Sequence, residues 1–266
     1  MVESELIQHL DKVRVVLVGT KFSGNLGFVA RVMRNMDFSD LRLVAPRAEL
    51  NKEAYTLALG GAGILDESRI HARLEQAVSD CAIVIGTSRR HGVKRKNVIN
   101  PRQMAGLLRP VLEVNRVALV FGPEDVGLSN DDIALCHWVV GIHPDTDYES
   151  LNLGHAVAIL LWEINYAVRE IQVDSHNSKG PGRLASSRDQ ENMFKHLEQV
   201  LIELGFIQER DPRRMMILIR QMLHRACLSE RDVRIIRGIL RQIKWRLDHP
   251  DAEVDHPMLR KDRRIK

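Results

Sequence analysis

Five short, near-continuous apolar runs set the fold class of this 266-residue chain: Val13–Val18 (broken only by Arg14), Leu41–Ala45, Ala82–Ile85, Val117–Phe121 and Trp138–Ile142. Each is rich in Val, Ile and Leu, and the runs are separated by stretches long enough for helices. Strands that lack polar alternation are buried on both faces, which predicts an α/β fold with a parallel sheet and helices on both sides. Asn25–Asn35 reads as the first helix, with Val29, Val32, Met33 and Met36 on one side. Leu74–Val78 belongs to another, and Asn152–Ile171 is the longest of this half. From Ala156 to Trp162 that last helix is apolar all round, so it should be covered on more than one side. Its own sheet can supply one cover, and the rest of the domain or a second subunit the other.

Small, polar, turn-forming segments stand where these strands should end. Gly19-Thr-Lys-Phe-Ser-Gly24-Asn-Leu-Gly27 follows the first, with Arg31 beyond it. Thr87-Ser88 leads into a basic run with five Lys/Arg between Arg89 and Lys96. Gly122-Pro-Glu-Asp-Val-Gly-Leu128 follows the fourth strand, and Tyr148-Glu-Ser-Leu-Asn-Leu153 precedes the long helix. Ligands of open α/β sheets bind beyond the carboxyl ends of the strands, so these loops predict one composite site. Gly19 and Gly24 have phosphate-loop spacing, but Asn25 and Leu26 stand where its Lys and hydroxyl residue belong, and G-x-G-x-x-G is absent. In the residue-level reading Asn25 caps the first helix and Arg31 projects from its second turn as a permanently charged phosphate donor. Gly122 lets a ligand approach the backbone, Glu124 orients a neighbouring loop or a ligand hydroxyl, and Ser150 or Asn152 caps the long helix. Nothing pairs Ser150 with a His and an acid as a hydrolase nucleophile. His137, His143 and His155 are read as structural.

Charge is unevenly spread. Residues 1–182 carry 20 Lys+Arg against 22 Asp+Glu, and residues 183–266 carry 19 against 13, a net of +6. A basic C-terminal third fits either a solvated face or a polyanionic partner. Residues 173–187 read as a linker, 188–248 as helical and 249–266 as a weakly ordered tail. Gly205 is a helix stop, Asp211-Pro212 opens the next helix, and Ser229 caps a third. On that third helix Val233, Ile236, Ile239, Leu240 and Ile243 share one face, and Arg234, Arg237, Arg241 and Lys244 the other. The three cysteines are scattered, and no structural metal is expected. An acidic start without an apolar core and the lack of a bilayer-length apolar run predict a cytoplasmic protein without a membrane anchor.

Taken in order, Asn25-Leu-Gly-Phe-Val-Ala-Arg31, Phe121 to Leu128 and Ser150-Leu-Asn-Leu153 resemble the three motifs of the SPOUT superfamily, in particular the TrmH-like RNA ribose 2′-O-methyltransferases. Beyond the linker, Phe194…His196-Leu-Glu…Gly205-Phe-Ile and Arg237-Gly-Ile-Leu are similar to the TrmJ type, which methylates the ribose of nucleotide 32 in the tRNA anticodon loop. The resemblance implies a SPOUT domain over 1–172 with a C-terminal trefoil knot, a small all-α RNA-binding domain, and a homodimer. It implies S-adenosylmethionine held by Thr87, Ser88, Arg89, Gly122, Ile142, Glu149, Ser150 and Leu151. It places Arg31 on the catalytic arginine, with Asn25, Ser150 and Asn152 near the reacting ribose. Arg89, Arg90, Lys94, Arg95 and Lys96, with Arg234, Arg237 and Arg241, are expected to meet tRNA. Arginine stays protonated in proteins, so Arg31 is read as a phosphate clamp that polarises the hydroxyl rather than as a free base. Methylation of a ribosomal RNA ribose, and a non-catalytic RNA-binding SPOUT protein, are the alternative functions.

Overall fold

The computed structural model describes residues 9–88, 98–142, 151–170, 182–208 and 212–250. Seven strands form one sheet: β1 (Val13–Val18), β2 (Asp40–Val44), β3 (Arg69–His71), β4 (Ile83–Thr87), β5 (Val98–Ile99), β6 (Val117–Phe121) and β7 (Trp138–Val140). The strand order is β3-β2-β1-β6-β4-β7-β5, and every pair is parallel. So β6 lies between β1 and β4, and β7 between β4 and β5.

The apolar runs form strands because both sheet faces are covered. Val13, Val15 and Leu17 pack on one side with helices α1 (Ser23–Asn35), α2 (Lys52–Ala58), α5 (Pro101–Leu108) and α7 (Leu153–Glu170). A short 3-10 turn (Leu59–Gly61) and α3 (Ala62–Asp66) complete that side. Val16, Val84 and Val120 pack on the other side with α4 (Leu74–Val78) and α6 (Asn130–Ala134). Arg14, the polar break in β1, is buried at the amino ends of the strands. Its guanidinium lies 2.8 Å from Asp40 and 2.5 Å from Asp80, which also pairs with Arg116. Burial alone would raise the Asp80 carboxyl, but the hydrogen bonds and charge of Arg14 outweigh it and hold the carboxyl at about 2.

Several expectations are corrected in detail. The second strand runs Asp40–Val44, which leaves Ala45 outside it in a left-handed turn (φ 41°) with its N–H on His71 O. The fifth expected strand stops at Val140. β3 and β5 carry no long apolar run, and they form as the edge partners of β2 and β7. The first helix begins at Ser23 with Phe22 as its N-cap, so Asn25 lies inside the first turn and does not cap it. On α7, Trp162 is 60 % exposed and Tyr166 48 %, so within one chain part of this apolar helix is left bare.

The C-terminal part contains α8 (Ser187–Glu203), α9 (Pro212–His224) and α10 (Glu230–Asp248) around a separate cluster with Met193, Phe194, Met216 and Val233. Gly205 (φ 72°) ends α8, and Ser229 caps α10 in a capping box with Asp232. Ile239 is exposed, off the packed face that Val233 and Leu240 form. Lys244 is held by Glu203 at 2.6 Å, which sets it apart from the exposed Arg234, Arg237 and Arg241.

Candidate active site

The loops after β1 and β6 and the start of α7 meet beyond the carboxyl ends of the central strands. Gly19, with a φ of 61°, turns the chain out of β1, and a Cβ placed there would lie 3.0 Å from Pro123 Cγ. The two loops are therefore in contact. Gly122 also serves the loop itself. A Cβ there would stand 2.3 Å from Leu128 N and 2.4 Å from Gly127 C, so the missing side chain lets the loop close on itself. That loop is fixed by a Gly127 N–H bond to Pro123 O (2.8 Å) and by Ser129, which caps α6.

Glu124 is the hub of the three loops. Its carboxylate accepts the Lys21 backbone N–H (3.0 Å to Oε2) and the Asn25 side-chain N–H (2.8 Å to Oε1). Lys21 Nζ pairs with the adjacent Asp125 at 2.5 Å. Asn25 Oδ1 in turn accepts from Asn152 Nδ2 at 3.1 Å, and Asn152 Oδ1 accepts from Gly154 N–H at 2.8 Å, capping α7. A Cβ at Gly154 would lie 2.1 Å from the Phe28 ring, so α7 starts tight against α1. One continuous hydrogen-bond chain thus runs from Lys21 through Glu124, Asn25 and Asn152 into the first turn of α7. Hydrogen bonds to a charged group are the strong kind, and each loop here satisfies a polar group of another.

The remaining predicted residues divide. Thr87 and Ser88 stand at the end of β4, the Thr87 hydroxyl donating to Val120 O (3.1 Å) and the Ser88 N–H to Val140 O (3.0 Å). Ile142 and Leu151 are half-buried. Arg31 is exposed, and no hydrogen bond or ion pair ties it to another described residue. Six residues after Asn25, it stands about 9 Å along the helix and about 120° around it, so it does not join the Glu124 network within one chain. Arg234, Arg237 and Arg241 are exposed on α10, and Arg234 Nε donates to Glu230 O. Arg89, Arg90, Lys94, Arg95, Lys96, Glu149 and Ser150 lie outside the described residues. Thr20 was not singled out from sequence. It is fully buried beside Lys21, its carbonyl accepts the N–H groups of Arg47 and Ala48, and its hydroxyl has no partner among the described residues. Nothing in its local sequence marks it. Among the described residues no group of three or more His, Cys, Asp or Glu could hold a metal ion, and no helix is long and apolar enough to cross a membrane.

The C-terminal helices dock on the same domain through buried polar contacts. Leu184 N–H donates to Asn115 Oδ1 (2.8 Å), and Ser187 N–H to Cys81 O (2.7 Å). His137 accepts Val84 N–H at Nδ1, so its Nε2 proton faces Gln190 Oε1 at 3.0 Å. The Gln190 amide then donates to Ala82 O and Ala185 O. His224 of α9 stacks on His137 with ring centroids 4.3 Å apart and donates from Nδ1 to Cys136 O. Burial pushes His137 down to about 4, and burial together with the neighbouring His137 and Arg220 lowers His224 as well. Both rings are neutral.

Comparison with known proteins accounts for most of the chain. Residues 12–162 match the model of the SpoU rRNA Methylase family, and residues 188–252 match that of the tRNA methyltransferase TrmJ, C-terminal domain. The tRNA (cytidine/uridine/adenosine-2′-O-)-methyltransferase TrmJ of Pseudomonas aeruginosa (strain UCBPP-PA14) is 37% identical over 239 residues, which cover 87% of this chain and 93% of that one. The tRNA (cytidine/uridine-2′-O-)-methyltransferase TrmJ of Citrobacter koseri is 36% identical, over 88% of this chain and 97% of the relative. Among solved structures, TrmJ from Z. mobilis ZM4 superposes with a TM-score of 0.73 at 28% identity, covering 87% of this chain and 98% of that one.

Proposed function

The chain belongs to the SpoU rRNA methylase family, and we propose on that footing that it transfers a methyl group from S-adenosylmethionine to a ribose 2′-hydroxyl of tRNA, at nucleotide 32 of the anticodon loop, in the cytoplasm. The observation that carries the reading is the hydrogen-bond chain through Glu124, Asn25 and Asn152, which gathers the three motif loops at one end of the sheet. The match of residues 188–252 to a tRNA methyltransferase C-terminal domain favours tRNA over ribosomal RNA as the substrate.

S-adenosylmethionine supplies, when bound, an electrophilic methyl group on a sulfonium. The surroundings fit such a ligand. Thr87, Ser88, Gly122 and Ile142 stand half-buried at the ends of β4, β6 and β7, and Ile142 and Leu151 offer apolar walls. With Arg89, Glu149 and Ser150 they would hold it. Alignment of donor and hydroxyl is the main task left to the protein, and near-attack positioning can supply roughly 7–11 kcal/mol of a barrier. Asn25 and Asn152 are committed to each other and to the loops, so they position the site. Arg31 is free to clamp an RNA phosphate beside the reacting hydroxyl, with Ser150 in support.

The RNA path runs over Arg89, Arg90, Lys94, Arg95 and Lys96 and over Arg234, Arg237 and Arg241 of the C-terminal domain. We further propose the trefoil knot of the SPOUT fold and a homodimer. Exposed Trp162 and Tyr166, one turn apart on α7, are the apolar surface a second copy would cover.

The test is methylation of unmodified tRNA with labelled S-adenosylmethionine, the modified nucleotide mapped by mass spectrometry. Label on the 2′-oxygen of nucleotide 32 is expected, with a loss of about 10²-fold in Arg31→Ala. Transfer to ribosomal RNA alone, or no transfer with intact cofactor binding, would overturn the assignment.

A further inference from the structure

Phe22 is 61 % exposed at the N-cap of α1, in the loop that carries Lys21 and Asn25. Helix N-caps favour Ser, Thr, Asp and Asn, whose side chains accept a free N–H. Here the cap makes no side-chain hydrogen bond, although a serine stands at the next position. The chain therefore forgoes a local stabilisation and leaves an aromatic ring in water. Phe38, Phe121 and Phe194 are almost completely buried, and the other phenylalanine as exposed as Phe22 is Phe206, beyond the end of α8 in the C-terminal part.

The backbone under the ring is held firmly. Lys21 N–H is bound by Glu124, Lys21 Nζ by Asp125, and Phe22 O accepts Asn25 N–H at 3.1 Å. Phe22 is extended (φ −114°, ψ 124°), a relaxed conformation for a bulky residue. A ring with two torsions on a fixed backbone loses little freedom when something covers it. The occupant should be flat and apolar on its face, because the ring offers a π-surface and no polar group of its own.

We propose that the Phe22 ring is a stacking platform for an unpaired nucleobase of the RNA substrate, next to the ribose that the site presents for reaction. The proposal rests on the reading of this site as an RNA ribose methyltransferase. Unpaired RNA bases are recognised by stacking on aromatic side chains, a contact that tolerates any base because every base has a π-face. Lys21 is paired with Asp125, and both Glu124 oxygens accept hydrogen bonds from the loop, so these side chains hold the backbone under the ring and leave its face uncovered.

Four variants test this: Phe22→Ala, Phe22→Leu, Phe22→Tyr and Phe22→Trp. Each is assayed for tRNA dissociation constant, KM and kcat of tRNA methylation, S-adenosylmethionine binding by calorimetry, and mass in solution. Phe22→Ala is expected to raise KM for tRNA by roughly 10-fold or more and to leave cofactor binding and solution mass unchanged. Tyr and Trp should restore wild-type KM, and Leu, which keeps apolar bulk without a π-face, should not. Full rescue by Leu, an unchanged KM in Phe22→Ala, or loss of a dimer in that variant would each overturn the proposal. The last would assign the ring to a subunit contact. A wild-type chain that binds tRNA without methylating it would sink the enzymatic reading instead, and the tRNA dissociation constants of the variants would still decide whether Phe22 stacks. A chain that binds no RNA overturns both.

Discussion

Acidification from pH 7.5 to 5 should loosen the C-terminal helices from the sheet domain, because two neutral imidazoles are buried between them. In the unfolded chain a histidine titrates near 6.5, whereas His137 in place is held at about 4 by burial. Between those values the unfolded chain takes up the proton and the folded one does not. Stability that is complete above pH 6.5 therefore drains as pH falls towards 4. At 1.36 kcal/mol per unit, the 1.5 units from 6.5 to 5 remove about 2 kcal/mol for His137. His224 shifts in the same direction, so the stacked pair can lose up to about 4 kcal/mol, a large share of an ordinary domain's stability. Asp80, held at about 2, keeps its contribution throughout this window and loses it only below about 3.8. Urea unfolding at pH 7.5, 6 and 5 measures the slope directly, and tRNA affinity over the same range reports the docking. His224→Phe keeps a ring against His137 and Phe194 but removes one titrating group and the bond to Cys136 O. It should be less stable at pH 7.5 by about 1–3 kcal/mol yet lose only about half as much on acidification. Equal unfolding free energies at pH 7.5 and 5, or a variant as steep as the wild type, would refute the assignment.

Replacing Arg234, Arg237 and Arg241 together by Ala should weaken tRNA binding without altering S-adenosylmethionine binding. The slope of log K against log salt should flatten by about 0.7–0.9 for each lost phosphate contact, as a salt titration would read. Gly27→Ala places a Cβ 2.1 Å from Ala54 O, a backbone atom of the neighbouring helix that cannot swing aside. The variant should lose about 1–3 kcal/mol, seen as a melting temperature several degrees lower.

The strands at the centre of the sheet were legible because nothing local competes with them. β1 and β6 are buried on both faces, so their apolar runs begin and end where the strands do. β3, with Arg69 and Ile70 exposed, has no such signature and exists because β2 offers it a free edge. Helix faces were readable to within one position. Ile239 belongs to the same period as Val233 and Leu240, yet it is exposed and lies off the face that packs in the C-terminal cluster. The stacking of His137 on His224 joins residues 87 positions apart and leaves no local trace.

Asn25 shows why the site was harder to read than the sheet. Local rules make an asparagine near a helix start a cap, because its side chain can then accept the first free N–H. In place it lies within the first turn of the helix, and both ends of its amide are taken by residues 99 and 127 positions away. The same holds for Glu124, whose two oxygens serve the loop after β1. If one of the three loops moved, a partly buried carboxylate or amide would lose its partner, at about 1–3 kcal/mol for each group. The loops are therefore fixed as a set, and no one segment carries the whole pattern. A site assembled this way needs no glycine-rich signature in any single stretch. Its mark in the sequence is the co-occurrence of three individually weak segments in a fixed order, each holding the polar group that another requires.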